Sequence, residues 1–259
     1  MKRLIVLALL LLTACEVPAP PPRPIDPPPS KLVERRWHPN PAHVTVQLDG
    51  EFAWALRGNG VELSGGSIHT NTESMIKVWL ALDWVASQNS NVTAADEAAI
   101  ARMIHVSDDK VAQRLYLNLG SEASIRRMIT TCALTRTTIT PNWWSKTQVT
   151  AMDAVKLGEC IVSGPGISPV WRDKLLEMMR TVAPDNRFGI AEAPALQGKP
   201  LAVKNGWTLH TTTWTVTCLA VWEGWSLAVL TRYVGKTHLQ GAAVCKSVAQ
   251  QLFSDAPQH

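Results

Sequence analysis

Two Ser-x-x-Lys quartets could do chemistry, Ser74-Met-Ile-Lys77 and Ser107-Asp-Asp-Lys110, and a Lys204-Asn205-Gly206 triplet follows in the last third. A serine and a lysine one helical turn apart share a face. The first quartet opens an apolar stretch: Met75, Ile76, Val78, Trp79, Leu80, Leu82, Trp84 and Val85 leave almost no polar side. Such a helix is buried. A charged lysine inside it is costly, so Lys77 needs a partner, a lowered pKa, or both. A neutral lysine beside a hydroxyl is the chemistry of an activated nucleophile. The competing reading is that Lys77 snorkels to the surface.

The elements that must position these groups are legible from pattern. Thr70 and Glu73 have the spacing of a capping box ahead of the Ser74 helix. Upstream, His43 to Leu48 alternates like a strand, Asp49-Gly50 reads as a hairpin, Phe52 to Leu56 as the return strand and Arg57 to Gly60 as the next turn. Helical patterns cover Ala94 to Ile104, Lys110 to Leu119 behind a Ser107-Asp-Asp cap, Glu122 to Thr130, Val149 to Cys160 and Val170 to Thr181. Thr135 to Trp144, broken by Pro141, reads as loop. Lys204 enters a strand, Trp214 to Trp222 and Trp225 to Tyr233 form a strand pair around Glu223-Gly224, and Gly241 to Phe253 is a closing helix. This order predicts an α+β fold: one antiparallel sheet built from both ends of the chain and flanked by helices, with an all-helical lobe inserted between.

Ser-x-x-Lys, then Ser-Asp-Asp, then Lys-Asn-Gly, each at the start of a compatible element, resembles the penicillin-recognising serine hydrolases, the class A β-lactamases and penicillin-binding proteins. Their signatures are S-x-x-K, S-D-N and K-T-G in that order. The resemblance runs from about His43 to the end and implies the β-lactamase/transpeptidase-like fold with a cleft between its lobes. It makes Ser74 the acyl-accepting nucleophile and Lys77 its base or proton relay. Ser107 would shuttle a proton between Lys204 and the leaving nitrogen, and Lys204 would attract the substrate carboxylate. The N–H groups of Ser74 and Trp207 would form the oxyanion hole. Asp109, Asn205, Gly206 and Trp207 would meet the substrate, Gly206 by letting the strand approach closely. The substrate would be a β-lactam or a peptidoglycan peptide, with no metal and no organic cofactor.

Departures from the pattern matter. Asp109 stands where the family has Asn and cannot donate an amide hydrogen bond; it could instead pair with a lysine and hold it charged. Asn205 replaces Thr. Between Glu122 and Glu159 there is no glutamate, whereas class A enzymes use a loop glutamate there to activate the deacylating water. Slow deacylation is expected. Two other readings stay open: a D,D-peptidase or esterase acting on cell-envelope substrates, and a cell-wall-binding lipoprotein that has lost turnover. His69, His105, His210 and His238 have no suggestive spacing, and no G-x-S-x-G elbow is present.

Compartment follows from the first residues. Met1-Lys-Arg, an apolar run from Leu4 to Leu12 and Leu12-Thr-Ala-Cys15 read as a signal peptide over residues 1–15. Its end resembles a bacterial lipobox, which implies lipidation of Cys15 and a membrane-anchored lipoprotein on the outer face of the cytoplasmic membrane or the periplasmic, cell-wall side. Residues 16–30 are Pro-rich and read as a semi-rigid spacer, followed by the folded domain over 31–259. Cys132, Cys160, Cys218 and Cys245 favour two disulfides in an exported chain, with local pairing (Cys132 with Cys160, Cys218 with Cys245) the expectation among three possible connectivities. The net charge of +4 falls to about +2 without Lys2 and Arg3, which gives no footprint for a nucleic-acid partner. Eleven scattered tryptophans suit core and cleft walls better than a stacking platform. A monomer is expected.

Overall fold

The computed structural model describes residues 44–254 together with Pro39. The leader, Cys15 and the Pro-rich stretch lie outside the described residues. Strands β1 (Gly50–Gly58), β2 (Val61–Gly66), β5 (Ala202–His210), β6 (Thr213–Trp222) and β7 (Trp225–Val234) form an antiparallel sheet in the order β2-β1-β7-β6-β5. A separate two-stranded ribbon pairs β3 (Thr70–Asn71) with β4 (Gln148–Val149). Both ends of the chain thus build the main sheet, and β5 is left at its edge.

The start of the chain differs from expectation. Residues 44–48 alternate in burial but form no strand. Their partner is a helix side chain: Thr45 N–H donates to Gln251 Oε1 and Gln251 Nε2 donates back to Thr45 O, each at 2.9 Å. Gly50 therefore starts the first strand instead of turning a hairpin. The turn between β1 and β2 is Asn59-Gly60, both at positive φ, as a tight hairpin requires.

Helices sandwich the sheet. On one face α5 (Ala151–Ser163) lies against small residues, with Ala154 and Val155 meeting Ala53, Ala55, Ala228 and Leu230. On the other, α7 (Leu239–Phe253) packs Val244, Val248 and Phe253 into the main core with Val216, Leu227 and Val229. The remaining helices, α1 (Lys77–Ser87), α2 (Ala94–His105), α3 (Asp109–Asn118), α4 (Glu122–Thr131) and α6 (Pro169–Arg180), make the helical lobe. Thr93, Asp108, Thr150 and Ser168 cap α2, α3, α5 and α6 through their side chains, which is why those starts are readable from sequence. Helix α1 is apolar on nearly all sides. Its one buried carboxylate, Asp83, is held by Arg127 of α4 at 2.7 and 2.9 Å and by Ser124 at 2.6 Å.

Cys132 is bonded to Cys160, and Cys218 to Cys245. The first joins the end of α4 to α5 and the second joins β6 to α7. Among the described residues, no helix is long and apolar enough to cross a membrane, and no group of three or more His, Cys, Asp or Glu is placed to hold a metal ion.

Candidate active site

Ser74 sits in a 3-10 turn, Glu73–Ile76, that runs directly into α1. The expected capping box does not form. Thr70 is in β3, Glu73 has φ +48°, and the Glu73 side chain turns toward β5. There its carboxylate accepts from Thr208 Oγ1 at 2.8 Å and meets His210 Nε2 at 2.7 Å, and Asn71 Nδ2 donates to it at 3.1 Å. Sequence spacing alone gave no sign of this cluster, because its members come from three elements.

Gly206 presses β5 against the same turn. A Cβ there would lie 2.5 Å from Ser74 N and 2.7 Å from Glu73 Cβ, so no other residue keeps this approach. Gly206 O points inward, within 3.4 Å of Thr217 Oγ1 on β6. Backbone direction alternates along a strand, so the Trp207 N–H faces outward, as does Asn205 O. Strand β5 therefore offers its free edge to the Ser74 turn.

The two lysines meet at Ser107. Lys77 Nζ donates to Ser107 O at 2.6 Å, Ser107 Oγ at 2.9 Å and Asp109 Oδ1 at 2.6 Å. Lys204 Nζ donates to Ser107 Oγ at 3.1 Å and Asn205 O at 3.0 Å. Lys77 does not snorkel: it is 0% exposed, and Lys204 is 1% exposed. Burial lowers the Lys77 pKa, opposed by its hydrogen bond to Asp109 and then by the charges of Asp109 and Asp108. Lys204 is pushed well below the ordinary lysine value by burial and then by the nearby Lys77 charge, against the pull of Asp109. Burial thus pushes both lysines toward the neutral form, and Asp109 pulls both back toward the charged one. Ser107 accepts from both with its two lone pairs, which leaves its O–H proton for the cleft. All three Lys77 donor positions have partners in the helical lobe, and Ser74 is not one of those partners.

Two hollows flank Ser74 and share Asp109 and Trp207. One, of about 530 Å³, is lined by Lys110, Gln113, Asn142, Trp143 and Trp144. The other, of about 350 Å³, is lined by Val106, Ser107, Asp185 and Asn186. Trp207 stacks on His238 with ring centroids 5.2 Å apart and meets Phe188 edge-on at 5.1 Å. Trp144 covers Lys77 at 5.3 Å from its ring centre. The loop carrying Trp144 has no Asp or Glu from Leu134 to Thr150.

Asn205 departs from its expected place as a substrate contact. Its side chain is 2% exposed and donates to Asn186 O at 3.0 Å and Phe188 O at 2.9 Å. An amide with two buried carbonyl partners in reach is held there by the cost of leaving them unpaired. Ser74, Lys77, Ser107, Asp109, Lys204, Gly206 and Trp207 are brought together. Asp185, Asn186 and Trp144 join them without a sequence motif that points to them, and Glu73 joins them in place of the helix cap that its spacing from Thr70 suggests.

No protein-family model matches the sequence, and no curated protein matches it. Solved structures do. A class A β-lactamase from Bacteroides cellulosilyticus superposes with a TM-score of 0.68 at 12% identity, over 80% of this chain and 92% of its own. The TLA-3 extended-spectrum β-lactamase gives 0.67 at 14% identity, over 80% and 93%. A β-lactamase from Chitinophaga pinensis gives 0.65 at 14%, over 80% and 94%. The sheet order, the helical lobe and these superpositions together establish that the chain has the serine β-lactamase-like fold.

Proposed function

We propose that the chain is an exported, lipid-anchored serine hydrolase that transfers an acyl group through an ester on Ser74, with slow deacylation. The observation that carries this is the Ser107 hydroxyl held between Lys77 and Lys204 beside the Ser74 turn, with Gly206 pressing β5 against Ser74 N–H. In the reaction, the Ser74 oxygen attacks an amide, ester or β-lactam carbonyl. The N–H groups of Ser74 and Trp207 receive the oxyanion. Lys77, which burial pushes toward the neutral amine, takes the Ser74 proton in that form. The proton passes through Ser107, which Lys204 holds, to the leaving group. Slow deacylation is supported by the loop, which sets Trp144 over Lys77 and carries no carboxylate to activate a water. The leader and Cys15 support export and anchoring, and two disulfides fit an oxidising compartment.

A second reading, a binding protein without turnover, draws on the full set of hydrogen-bond partners that Lys77 already has. Intact-protein mass spectrometry separates the two. After incubation with a penicillin or a phenylacetyl thioester, the chain is expected to gain the acyl mass, and Ser74→Ala is expected to gain none. Equal labelling or turnover of the Ser74→Ala variant would sink the acyl-enzyme mechanism, and no reaction with either reagent would favour the binding protein.

A further inference from the structure

In the β-lactam reaction, the group attached to the leaving nitrogen bears a carboxylate, which sits on the Ser107–Lys204 side of the cleft. Here that side offers the Ser107 hydroxyl but no free cation to receive it. Lys204 Nζ is buried and bonded to Ser107 Oγ and Asn205 O. The Asn205 amide donates to Asn186 O and Phe188 O. Opposite Asn205 on β6 stands Cys218, which is tied into a disulfide. Thr217 Oγ1 donates to Thr72 O at 3.1 Å. The Arg187 guanidinium donates to Arg180 O and Leu201 O instead.

What the same side presents to the cleft is negative. The smaller hollow is lined by Asp109 and Asp185 and by no Lys or Arg. The Asp109 side chain is 78% exposed even while it holds Lys77, and Asp185 is exposed. Asp108, next in the chain, is cancelled by Arg102 at 2.8 Å. Lys110 belongs to the larger hollow on the other side. Lys77 balances Asp109, and no Lys or Arg lines the hollow beside Asp185, so acidic side chains predominate there. Trp207 adds an aromatic wall, a surface that cations favour.

We infer that the cleft, read as the acyl-transfer site proposed above, takes acyl donors whose leaving group lacks a carboxylate, and prefers leaving groups that carry a cation. β-Lactams are then poor mimics, and amine-bearing esters or amides are the substrate class. In the acylation step the Ser74 Oγ–acyl bond forms, the bond from the acyl carbon to the leaving heteroatom breaks, and the Ser74 proton ends on that heteroatom.

Three thioesters that deliver one acyl group isolate the preference: the phenylacetyl esters of mercaptoacetate, mercaptoacetamide and thiocholine. All give the same phenylacetyl-Ser74 enzyme, so deacylation is common and only acylation differs. Thiol release by the purified full chain is followed against Ser74→Ala. Thiocholine release is expected to exceed mercaptoacetate release by about 10-fold or more in second-order rate, with the amide between, because a charged cleft steers by such factors. Raising the salt is expected to narrow the ratio. Asp185→Asn is expected to narrow it at low salt. A mercaptoacetate rate equal to or above that of thiocholine, with release still dependent on Ser74, overturns the preference and leaves the acyl-enzyme reading standing. Release that is the same in Ser74→Ala for all three esters overturns both.

Discussion

Ser107, Asp108 and Asp109 are adjacent, polar and similar in size, yet each has a different duty. Asp108 accepts from Lys110 N and Val111 N and so caps α3. Because the cap is the second residue of the run, Ser107 is left outside the helix at φ +60° and turns its hydroxyl to the lysines. Asp109, already in the helix, reaches Lys77. A serine in the left-handed region costs on the order of 1 kcal/mol or more, and its placement at the meeting point of two lysines gives that strain a use. The buried Lys204 is a larger cost. Its lowered pKa means that the unfolded chain binds more protons than the folded one at pH values between the folded pKa and the ordinary lysine value. Stability therefore rises with pH through that window and is penalised most below it. Lys204→Met is expected to stabilise the fold at neutral pH by about 1–3 kcal/mol, since an apolar side chain of similar length replaces an amine that is costly to bury. Denaturant unfolding at several pH values checks this. The gain is expected to shrink toward pH 10, and Ser74 acylation is expected to be lost in the same variant. A Lys204→Met protein less stable than the parent at pH 7 would mean that its hydrogen bonds to Ser107 and Asn205 outweigh desolvation.

At the scale of elements, the site depends on an edge strand meeting a 3-10 turn without side chains between them. Gly206→Ala would place a methyl group 2.5 Å from Ser74 N and 2.9 Å from Met75 N, both backbone atoms. The strand must then move away, and the two N–H groups expected to receive an oxyanion separate. An acylation rate lower by about 100-fold is expected, as for other small misplacements of reacting groups, with circular dichroism unchanged; a rate within a few-fold of the parent would show that the turn can follow the strand. How well these elements can be read from sequence varies for physical reasons. Strands β6 and β7 and the helices capped by Thr93, Asp108, Thr150 and Ser168 carry local signals, and their expected ranges agree with the structure to within a few residues. The Thr70–Glu73 spacing carried an equally good local signal, but there tertiary partners won: Thr208 and His210 of β5 hold the Glu73 carboxylate, and Thr70 pairs with Val149. Residues 44–48 failed likewise, since an alternating pattern records burial on one side and not the presence of a strand partner. The Lys-Asn-Gly triplet gives residue types but not the carbonyls behind the strand, Asn186 O and Phe188 O, that hold the Asn205 side chain. Among the site residues, Ser74, Lys77, Ser107 and Lys204 were legible as types at a spacing. Glu73, Trp144 and Asp185 were not, because nothing in the order of the chain announces that they converge.

At the scale of the whole molecule, the two disulfides close loops of similar length, with sequence separations of 28 and 27. In the chain-entropy account each contributes about 3–4 kcal/mol. Their positions relative to the cleft differ. Cys132–Cys160 fastens α4 to α5, and the loop that follows is pinned independently: Arg136 N and Thr137 Oγ1 both donate to Asp153 at 2.8 Å, and Thr72 N donates to Thr147 O at 2.8 Å. Cys218–Cys245 lies directly behind the Lys204 side of the site. A Cβ on Gly189 would touch Cys218 Sγ at 2.9 Å and Cys245 Cβ at 2.8 Å, so the segment whose Asn186 and Phe188 carbonyls hold Asn205 rests on this bridge. Replacing either pair by serine is expected to lower unfolding stability by a similar amount, read by denaturant titration. The effect on chemistry is expected to split. The Cys132/Cys160 double variant keeps its Ser74 acylation rate within about two-fold, and the Cys218/Cys245 double variant loses about ten-fold or more, because the backing of β5 loosens and Lys204 moves relative to Ser107. Equal rates in the two variants, measured where both remain folded, would mean that the packing of α7 on β6 supports the cleft without the covalent bond.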